Sequence, residues 1–252
     1  SDPDVFCKVD KTRRQNAMCN HTATHLMHKA LKTVLGDHVN QAGSMVHPDY
    51  LRFDLTHFEK INQNQIEEIE KIVNDQIIEN KKLDISIKSY DTAKKEGAEA
   101  LFGEKYGDQV RVVKVGDFSN ELCGGTHVTR TGDIGMFKII EESSLSAGIR
   151  RVVALTGKRA LKDIQKNQLI LQSLQKILNI PFSEMVDRVN AIKNEKKDLE
   201  RKIKRGFQKN SLGDLFKHSF KIKNIVVLVE KVNAENLDDL KAFGDQVFNK
   251  LP

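Results

Sequence analysis

Two histidines four residues apart, His21 and His25, are the first side chains whose types and spacing suit chemistry. On a helix, residues i and i+4 lie on one face about one turn apart, so both imidazoles could bind one metal ion. A zinc-peptidase helix shares this spacing but carries a Glu general base after the first histidine, where this chain has Thr22. The absence of that Glu disfavours a peptidase. Histidines at this spacing also occur on surfaces and in cores that bind no metal.

A second candidate motif is the segment Cys123–His127, in which two glycines stand between a cysteine and a third histidine. Adjacent glycines disfavour a helix and suit a tight loop that brings a thiolate and an imidazole toward one point. Such a pair could also be a reactive Cys/His couple or ordinary loop residues. Taken with the histidine pair, it completes a tetrahedral set of three nitrogens and one sulfur that suits zinc. The two motifs together predict a zinc site at His21, His25, Cys123 and His127.

The remaining histidines and cysteines are weaker candidates. His28 lies two helical turns from His21, about 10 Å, which is too far for one ion, so we expect a satisfied or solvent-facing side chain. Cys7 and Cys19 are expected to be inert thiols. Three cysteines, an odd number, do not make a disulfide scaffold. A reducing, cytoplasmic location is therefore predicted.

The elements that must position these motifs form an irregular mixture of helices and strands. The histidine pair lies on a helix for which Asn20 is the predicted N-cap and Gly36 the stop signal. No regular alternation of strand and helix follows, which favours the α+β class over α/β. Further helices are predicted over 61–80 and 92–100, and strands over 51–55, 83–87, 110–115, 135–140 and 151–156.

The sequence pattern changes after Gly157. Two long amphipathic segments, 160–178 and a second that begins near Ser183, predict an antiparallel helical hairpin. One buried strand over 222–229 and a helix after it predict a small partial α/β segment, too short to bury a core alone. We therefore divide the chain into three parts: 1–157, 158–218 and 219–252.

The net charge of +6 over 252 residues is unevenly distributed. Residues 1–157 carry a net −2, residues 158–218 a net +8, and residues 219–252 a net zero. Concentrated Lys and Arg attract phosphate, although a Lys-rich helix exposed to water would have the same composition. No run approaches the roughly 20 apolar residues of a membrane span, so no membrane partner is expected. The chain starts with Ser rather than Met, which is typical of an excised or processed piece.

Five segments, in their order and spacing, resemble the editing domain of the alanyl-tRNA synthetase family. The cysteine motif resembles the alanyl branch rather than the related threonyl-tRNA synthetase domain, and freestanding editing proteins share the core motifs. The hairpin and the last segment resemble the linker and the start of the C-terminal domain of the full synthetase. No adenylate-forming region is recognisable, so we interpret the chain as an editing fragment without ligase activity. The segments are Asn20–Met27, Val39–Ser44, Leu51–Asp54, Cys123–Val128 and Ala147–Val152, the last followed by Thr156-Gly157.

The resemblance implies zinc-dependent hydrolysis of mischarged tRNA, with removal of serine or glycine from the alanine tRNA. It implies that the four residues named above bind the zinc, that the aminoacylated 3′ end of the tRNA reaches it, and that the full protein forms a homodimer through its C-terminal region. Zinc can orient the ester or activate a water. Four protein ligands describe a closed site, so either one is displaceable or another group handles the water. The alternative is a tRNA-binding or dimerisation module with a structural zinc.

Serine differs from alanine by one hydroxyl, and a site that hydrogen-bonds a hydroxyl can reject the analogue lacking it by about 10⁴–10⁵-fold. Thr24 lies within one turn of both helix histidines, and Gln41 falls in the Gln-x-Gly-Ser segment of the family. Both are candidate partners for the hydroxyl, with back-bonding to the helix and an ordinary loop amide as the alternatives. Gly124 and Gly125 could offer N–H groups to a developing oxyanion, or could serve turn geometry alone.

Six basic residues are candidates for contact with tRNA phosphate. Two of them end the editing region, where surface ion pairs are the alternative role. The other four lie in the second helix of the predicted hairpin, where the positive charge is concentrated. They are Arg150 and Arg151 in the first group, and Arg201, Lys202, Lys204 and Arg205 in the second.

Overall fold

The computed structural model describes residues 7–100, 107–215, 219–229 and 237–249, and over 202–215 only the backbone is described. Tertiary contacts divide the chain into one unit over residues 1–170 and a second over 171–252. Antiparallel sheets and helices confirm the predicted α+β class. The three-part division predicted above stays a prediction. Within the described ranges, no helix has both the length and the apolar character needed to cross a membrane.

Helix α1 (Lys11–Leu35) begins well before the predicted start. Asp10 caps it by accepting from the N–H of Arg13, and Gly36 ends it with φ 112°, as the sequence indicates. The predicted N-cap, Asn20, is wrong, since Asn20 lies inside the helix. Its buried amide donates to the His47 carbonyl at 2.5 Å and accepts from the Thr156 hydroxyl at 2.6 Å. Tertiary partners therefore satisfy the polar side chain that suggested a helix start.

A four-stranded antiparallel sheet packs against α1 and helix α2 (Gln63–Ile78). The apolar residues of strand β2 (Leu51–Thr56) alternate as predicted, with Leu51, Phe53 and Leu55 fully buried, and Asp54 between them is buried as well. Helix α2 begins with a capping box between Asn62 and Gln65. Apolar residues from both helices and the sheet form the main core. The sheet has the order β1-β2-β7-β6, with β1 at Gln41–Val46, β2 at Leu51–Thr56, β6 at Phe137–Ser146 and β7 at Ile149–Thr156.

A second antiparallel sheet contains strands β3 (Leu83–Ser89), β4 (Gln109–Val115) and β5 (Ser119–Leu122), in that order. A short helix, α3 (Tyr90–Lys95), packs on it over a smaller core. Strand β5 is missed by the sequence analysis because it is four residues long and mostly polar. It ends directly before Cys123, so this sheet determines where the cysteine motif begins.

The rest of the chain is mainly helical, with α4 (Gly157–Leu178), α5 (Met185–Leu215) and α6 (Leu237–Phe248). The boundary between the two units falls inside α4, and the antiparallel packing of α4 and α5 stays a prediction. The single buried strand predicted over 222–229 is wrong. Two short strands, β8 (Phe220–Ile222) and β9 (Ile225–Val227), form a hairpin instead.

The hairpin forms because the polar pair Lys223-Asn224 interrupts the run of strand residues. Lys223 adopts φ 55°, the left-handed conformation that tight hairpin turns require. The strands are not a buried element either, since Ile225 is 68% exposed.

Candidate metal centre

The four predicted ligands meet at one point. One ligand atom from each of His21, His25, Cys123 and His127 lies within 4.8 Å of all the others. Helix α1 supplies the first two, and the loop after β5 supplies the others. The Cys123 Sγ atom lies 3.4 Å from Nε2 of His21 and 3.3 Å from Nε2 of His127. This convergence of one sulfur and three imidazoles could hold a metal ion.

Arg111 on β4 holds the loop that carries the cysteine. One of its guanidinium nitrogens, Nη1, donates to the carbonyl of Cys123 at 2.8 Å and to that of Gly125 at 2.7 Å. The N–H of Cys123 in turn donates to the Arg111 carbonyl at 3.0 Å. Three hydrogen bonds thus attach the tight loop to a strand of the sheet. No motif in the sequence indicated this role for Arg111.

Each of the three histidines has a protein oxygen beside its Nδ1 atom. For His21 it is the Thr126 carbonyl at 3.2 Å, and for His127 the Thr22 hydroxyl at 3.1 Å. A carbonyl can only accept, so Nδ1 of His21 carries the hydrogen and its Nε2 presents a lone pair toward Cys123. The Thr22 hydroxyl also accepts from the N–H of Val128 at 3.2 Å. Thr22 therefore joins α1 to the cysteine motif at the position where a peptidase would have its Glu.

The third histidine faces a buried acid. Nδ1 of His25 lies 2.8 Å from Oε2 of Glu121 on β5. The sequence analysis did not find Glu121. The signal that could have found it is strand periodicity, because residues two apart in an extended chain point to the same side and Glu121 precedes Cys123 by two.

The ionisation of the cluster suits metal binding at some of its positions and opposes it at one. Burial opposes the thiolate, but the hydrogen bond from His127 and the neighbouring imidazoles of His21 and His25 outweigh it and lower the pKa of Cys123 to about 3. Burial lowers the pKa of His127 to about 4, which leaves this imidazole neutral at pH 7. Burial also opposes a charge on His25, yet the Glu121 carboxylate outweighs it and raises the pKa of His25 to about 10. Two of these three ligands are thus in the form that a metal requires.

The candidates for substrate selection have mixed surroundings. The Thr24 hydroxyl donates to the Asn20 carbonyl at 2.8 Å, which is the back-bonded alternative. Gln41 begins β1, beside an irregularity in the strand register, and its amide donates to the Ser44 hydroxyl at 3.2 Å. Gly124 has open space where a side chain would be, with no heavy atom of the described residues within 4 Å of a Cβ there. Their roles toward substrate stay predictions.

The two arginines near the end of the first predicted part, residues 1–157, lie in ion pairs. Nε of Arg150 donates to Glu142 at 2.6 Å, and Arg151 forms two bonds to Asp54, at 2.7 and 2.9 Å. These contacts correspond to the ion-pair alternative, and phosphate binding by either arginine stays a prediction. On α5, Arg201 is exposed and contacts Asp198 at 3.4 Å. The side chains of the other three candidates on this helix lie outside the described part of the chain: Lys202, Lys204 and Arg205.

Residues 110–153 match the family described as the threonyl and alanyl tRNA synthetase second additional domain. The matched span runs from β4 to β7 and includes β5, the Cys123–His127 loop and β6. The fold and the site thus define a tRNA synthetase accessory domain that contains a possible metal centre.

Full-length relatives specify the synthetase. The chain is 47% identical over 255 residues to the alanine-tRNA ligase of Alkaliphilus oremlandii, covering 98% of this chain and 28% of that protein. It is 45% identical over 246 residues to the ligase of Desulforamulus reducens, covering 96% and 28%. It is 48% identical over 240 residues to the alanine-tRNA ligase of Fervidobacterium nodosum, covering 94% of this chain and 28% of that protein. The chain belongs to the alanyl-tRNA synthetase family and spans about 28% of the length of these relatives, in a region that includes the editing domain.

Proposed function

We propose that this region hydrolyses the ester of mischarged aminoacyl-tRNA, namely serine or glycine attached to the alanine tRNA, and that it uses zinc to do so. The observation that carries the proposal is the convergence of His21, His25, Cys123 and His127 within 4.8 Å. Three imidazoles and one thiolate are ligand types that zinc binds, whereas Mg²⁺ and Ca²⁺ prefer oxygen ligands. Membership of the synthetase family supplies the substrate class.

A zinc ion bound there would supply Lewis-acid chemistry at the ester or at a water. The chain's own residues keep the ligand atoms in place. Arg111 attaches the loop that carries Cys123 to β4, and Thr22 holds Nδ1 of His127. Because four protein ligands describe a closed site, we propose that one ligand is displaced, or that another group handles the water, when the substrate binds.

Three groups are proposed to handle the substrate. The hydrogen of the Thr24 hydroxyl is used by the Asn20 carbonyl, so Thr24 can offer only a lone pair to the hydroxyl of serine. Gln41 has an amide that can both donate and accept. The open space beside Gly124 leaves its backbone accessible, which suits a donor to the developing oxyanion.

Alanine tRNA is the proposed partner, with its aminoacylated 3′ end at the zinc site. Phosphate contacts are proposed for α5, where the exposed Arg201 precedes three further basic residues. Dimerisation of the full protein through its C-terminal region stays part of the proposal. A reducing compartment such as the cytoplasm would keep Cys123 available as a metal ligand.

A metal analysis combined with a deacylation assay tests this function. Stoichiometric zinc and faster release of serine than of alanine from alanine tRNA are expected. The competing proposal, a binding module with structural zinc, predicts no hydrolysis and unfolding on chelation. Bound zinc without any hydrolysis would favour that second function.

A further inference from the structure

Glu121 is a buried acid between two histidines of α1. It is 6% exposed, and its two carboxylate oxygens face different rings. Oε2 lies 2.8 Å from Nδ1 of His25, and Oε1 lies 3.7 Å from Nδ1 of His28. The Ser119 hydroxyl donates to Oε1 at 3.2 Å. Burial of a carboxylate costs free energy unless polar partners compensate, so this placement needs a reason beyond packing.

The position of Glu121 determines which nitrogen of His25 faces the cysteine. A carboxylate can only accept a hydrogen bond, so the Nδ1 atom beside it must carry the hydrogen. When the ring is neutral, as a metal ligand must be, the lone pair is then on Nε2, on the side of the ring away from Glu121. A metal ligand needs that lone pair, and a carboxylate behind the imidazole also makes the ring a stronger donor to a metal.

The backbone around Glu121 is held on both sides. Strand β5 pairs with β4, where Glu121 lies opposite Val113, and Glu121 also forms a bridge with Glu99. The N–H of Leu122 donates to the Glu99 carbonyl at 2.9 Å. A carboxylate on a strand fixed along both edges can orient a ring more accurately than one on a free loop.

We propose that Glu121 is a positioning residue for the metal, acting through His25. The proposal rests on the metal-dependent function above, because it assigns Glu121 a task only if His25 binds the ion. The contact to His28 is weaker, since 3.7 Å exceeds hydrogen-bond distance. His28 therefore contributes less to metal binding than Glu121 does.

The test measures zinc affinity of the full chain by competition with a chromophoric chelator. Glu121→Gln keeps the shape and one accepting oxygen but removes the charge, and affinity is expected to fall about 10- to 100-fold. Glu121→Asp keeps the charge on a shorter side chain. Its zinc affinity should lie between those of Glu121→Gln and the wild type. Substitution with Co²⁺ gives a second readout, because an altered ligand orientation shifts the visible absorption of the ion.

The control is Glu142→Gln, another buried acid, which contacts Arg150 and the N–H of Ile61. It should lower the thermal midpoint and leave zinc affinity unchanged. Equal affinities of wild type and Glu121→Gln, with Glu121→Asp also unchanged, would overturn the proposal. Absence of zinc binding by the wild type would overturn both this proposal and the function above. A loss of affinity in Glu121→Gln, combined with no hydrolysis by the zinc-loaded wild type, would support Glu121 and overturn only the function.

Discussion

Gly125 lies so close to His21 that a Cβ at this position would stand 2.1 Å from Cε1 and 2.6 Å from Nδ1 of the imidazole. The neighbouring Gly124 has no heavy atom of the described chain within 4 Å of the equivalent point. Neither glycine has the positive φ that favours glycine on conformational grounds. The close approach of the loop to the His21 ring therefore explains why residue 125 is a glycine. It does not explain Gly124, which stays available for the proposed role as an oxyanion donor.

Gly125→Ala should displace His21 from the metal centre. The added methyl group overlaps the ring, so either the imidazole or the loop must move. We expect zinc affinity to fall at least tenfold, measured by chelator competition. Gly124→Ala is the matched control and should bind zinc as the wild type does. Equal affinities of the two variants would contradict the proximity described here.

Acid should weaken the fold through His57, which follows β2. Its Nδ1 lies 2.9 Å from Nε2 of His38. Burial, then the charge of His38, lowers the pKa of His57 below its ordinary value of 6.5. The unfolded chain therefore binds the proton more readily, so this contribution to stability is complete above about pH 6.5 and is lost as pH falls below that value toward the lower pKa of the folded state.

Urea unfolding at several pH values between 8 and 5 measures this effect. In His57→Gln the free energy of unfolding should fall less with decreasing pH than in the wild type. His47→Gln, which changes a histidine in another loop, should keep the wild-type slope. If the free energy of unfolding of His57→Gln fell with pH as steeply as that of the wild type, His57 would not be the group that causes the pH dependence.

The basic part of α5 should determine how tRNA binding depends on salt. Each phosphate contact that is lost reduces the slope of log K against log salt by about 0.7–0.9. A variant with glutamine at four positions of α5 should bind alanine tRNA more weakly and with a flatter slope. The four positions are Arg201, Lys202, Lys204 and Arg205.

Four exposed lysines elsewhere provide the control for a simple loss of charge. Their replacement by glutamine should change the slope less than the α5 variant does. An α5 variant with wild-type affinity and slope would instead mean that this helix face is only solvated. The control positions are Lys60, Lys71, Lys94 and Lys95.

The sequence predicted the cluster of His21, His25, Cys123 and His127 because these residue types carry metal chemistry, and the structure brings the four side chains together. It also predicted the mixed class and strand β2, whose apolar residues alternate along the chain, although Asp54 between two of them is buried as well. It placed the start of α1 wrongly because Asn20 satisfies its amide through His47 and Thr156, contacts distant in sequence. The partners of the ligands were missed for the same reason. The period-two spacing of Glu121 and Cys123 does not show that His25 is the partner of Glu121, and nothing local to Arg111 shows that β4 brings it to the cysteine loop.

The most direct test of the account is deacylation of alanine tRNA carrying serine or alanine, with the wild type and Cys123→Ala compared at equal zinc. Zinc-dependent editing predicts rapid release of serine by the wild type, little release of alanine, and loss of serine release in Cys123→Ala because the thiolate ligand is gone. The circular dichroism spectrum of the variant should match the wild type, so that unfolding does not explain the loss. Undiminished hydrolysis by a folded Cys123→Ala variant would contradict the central claim.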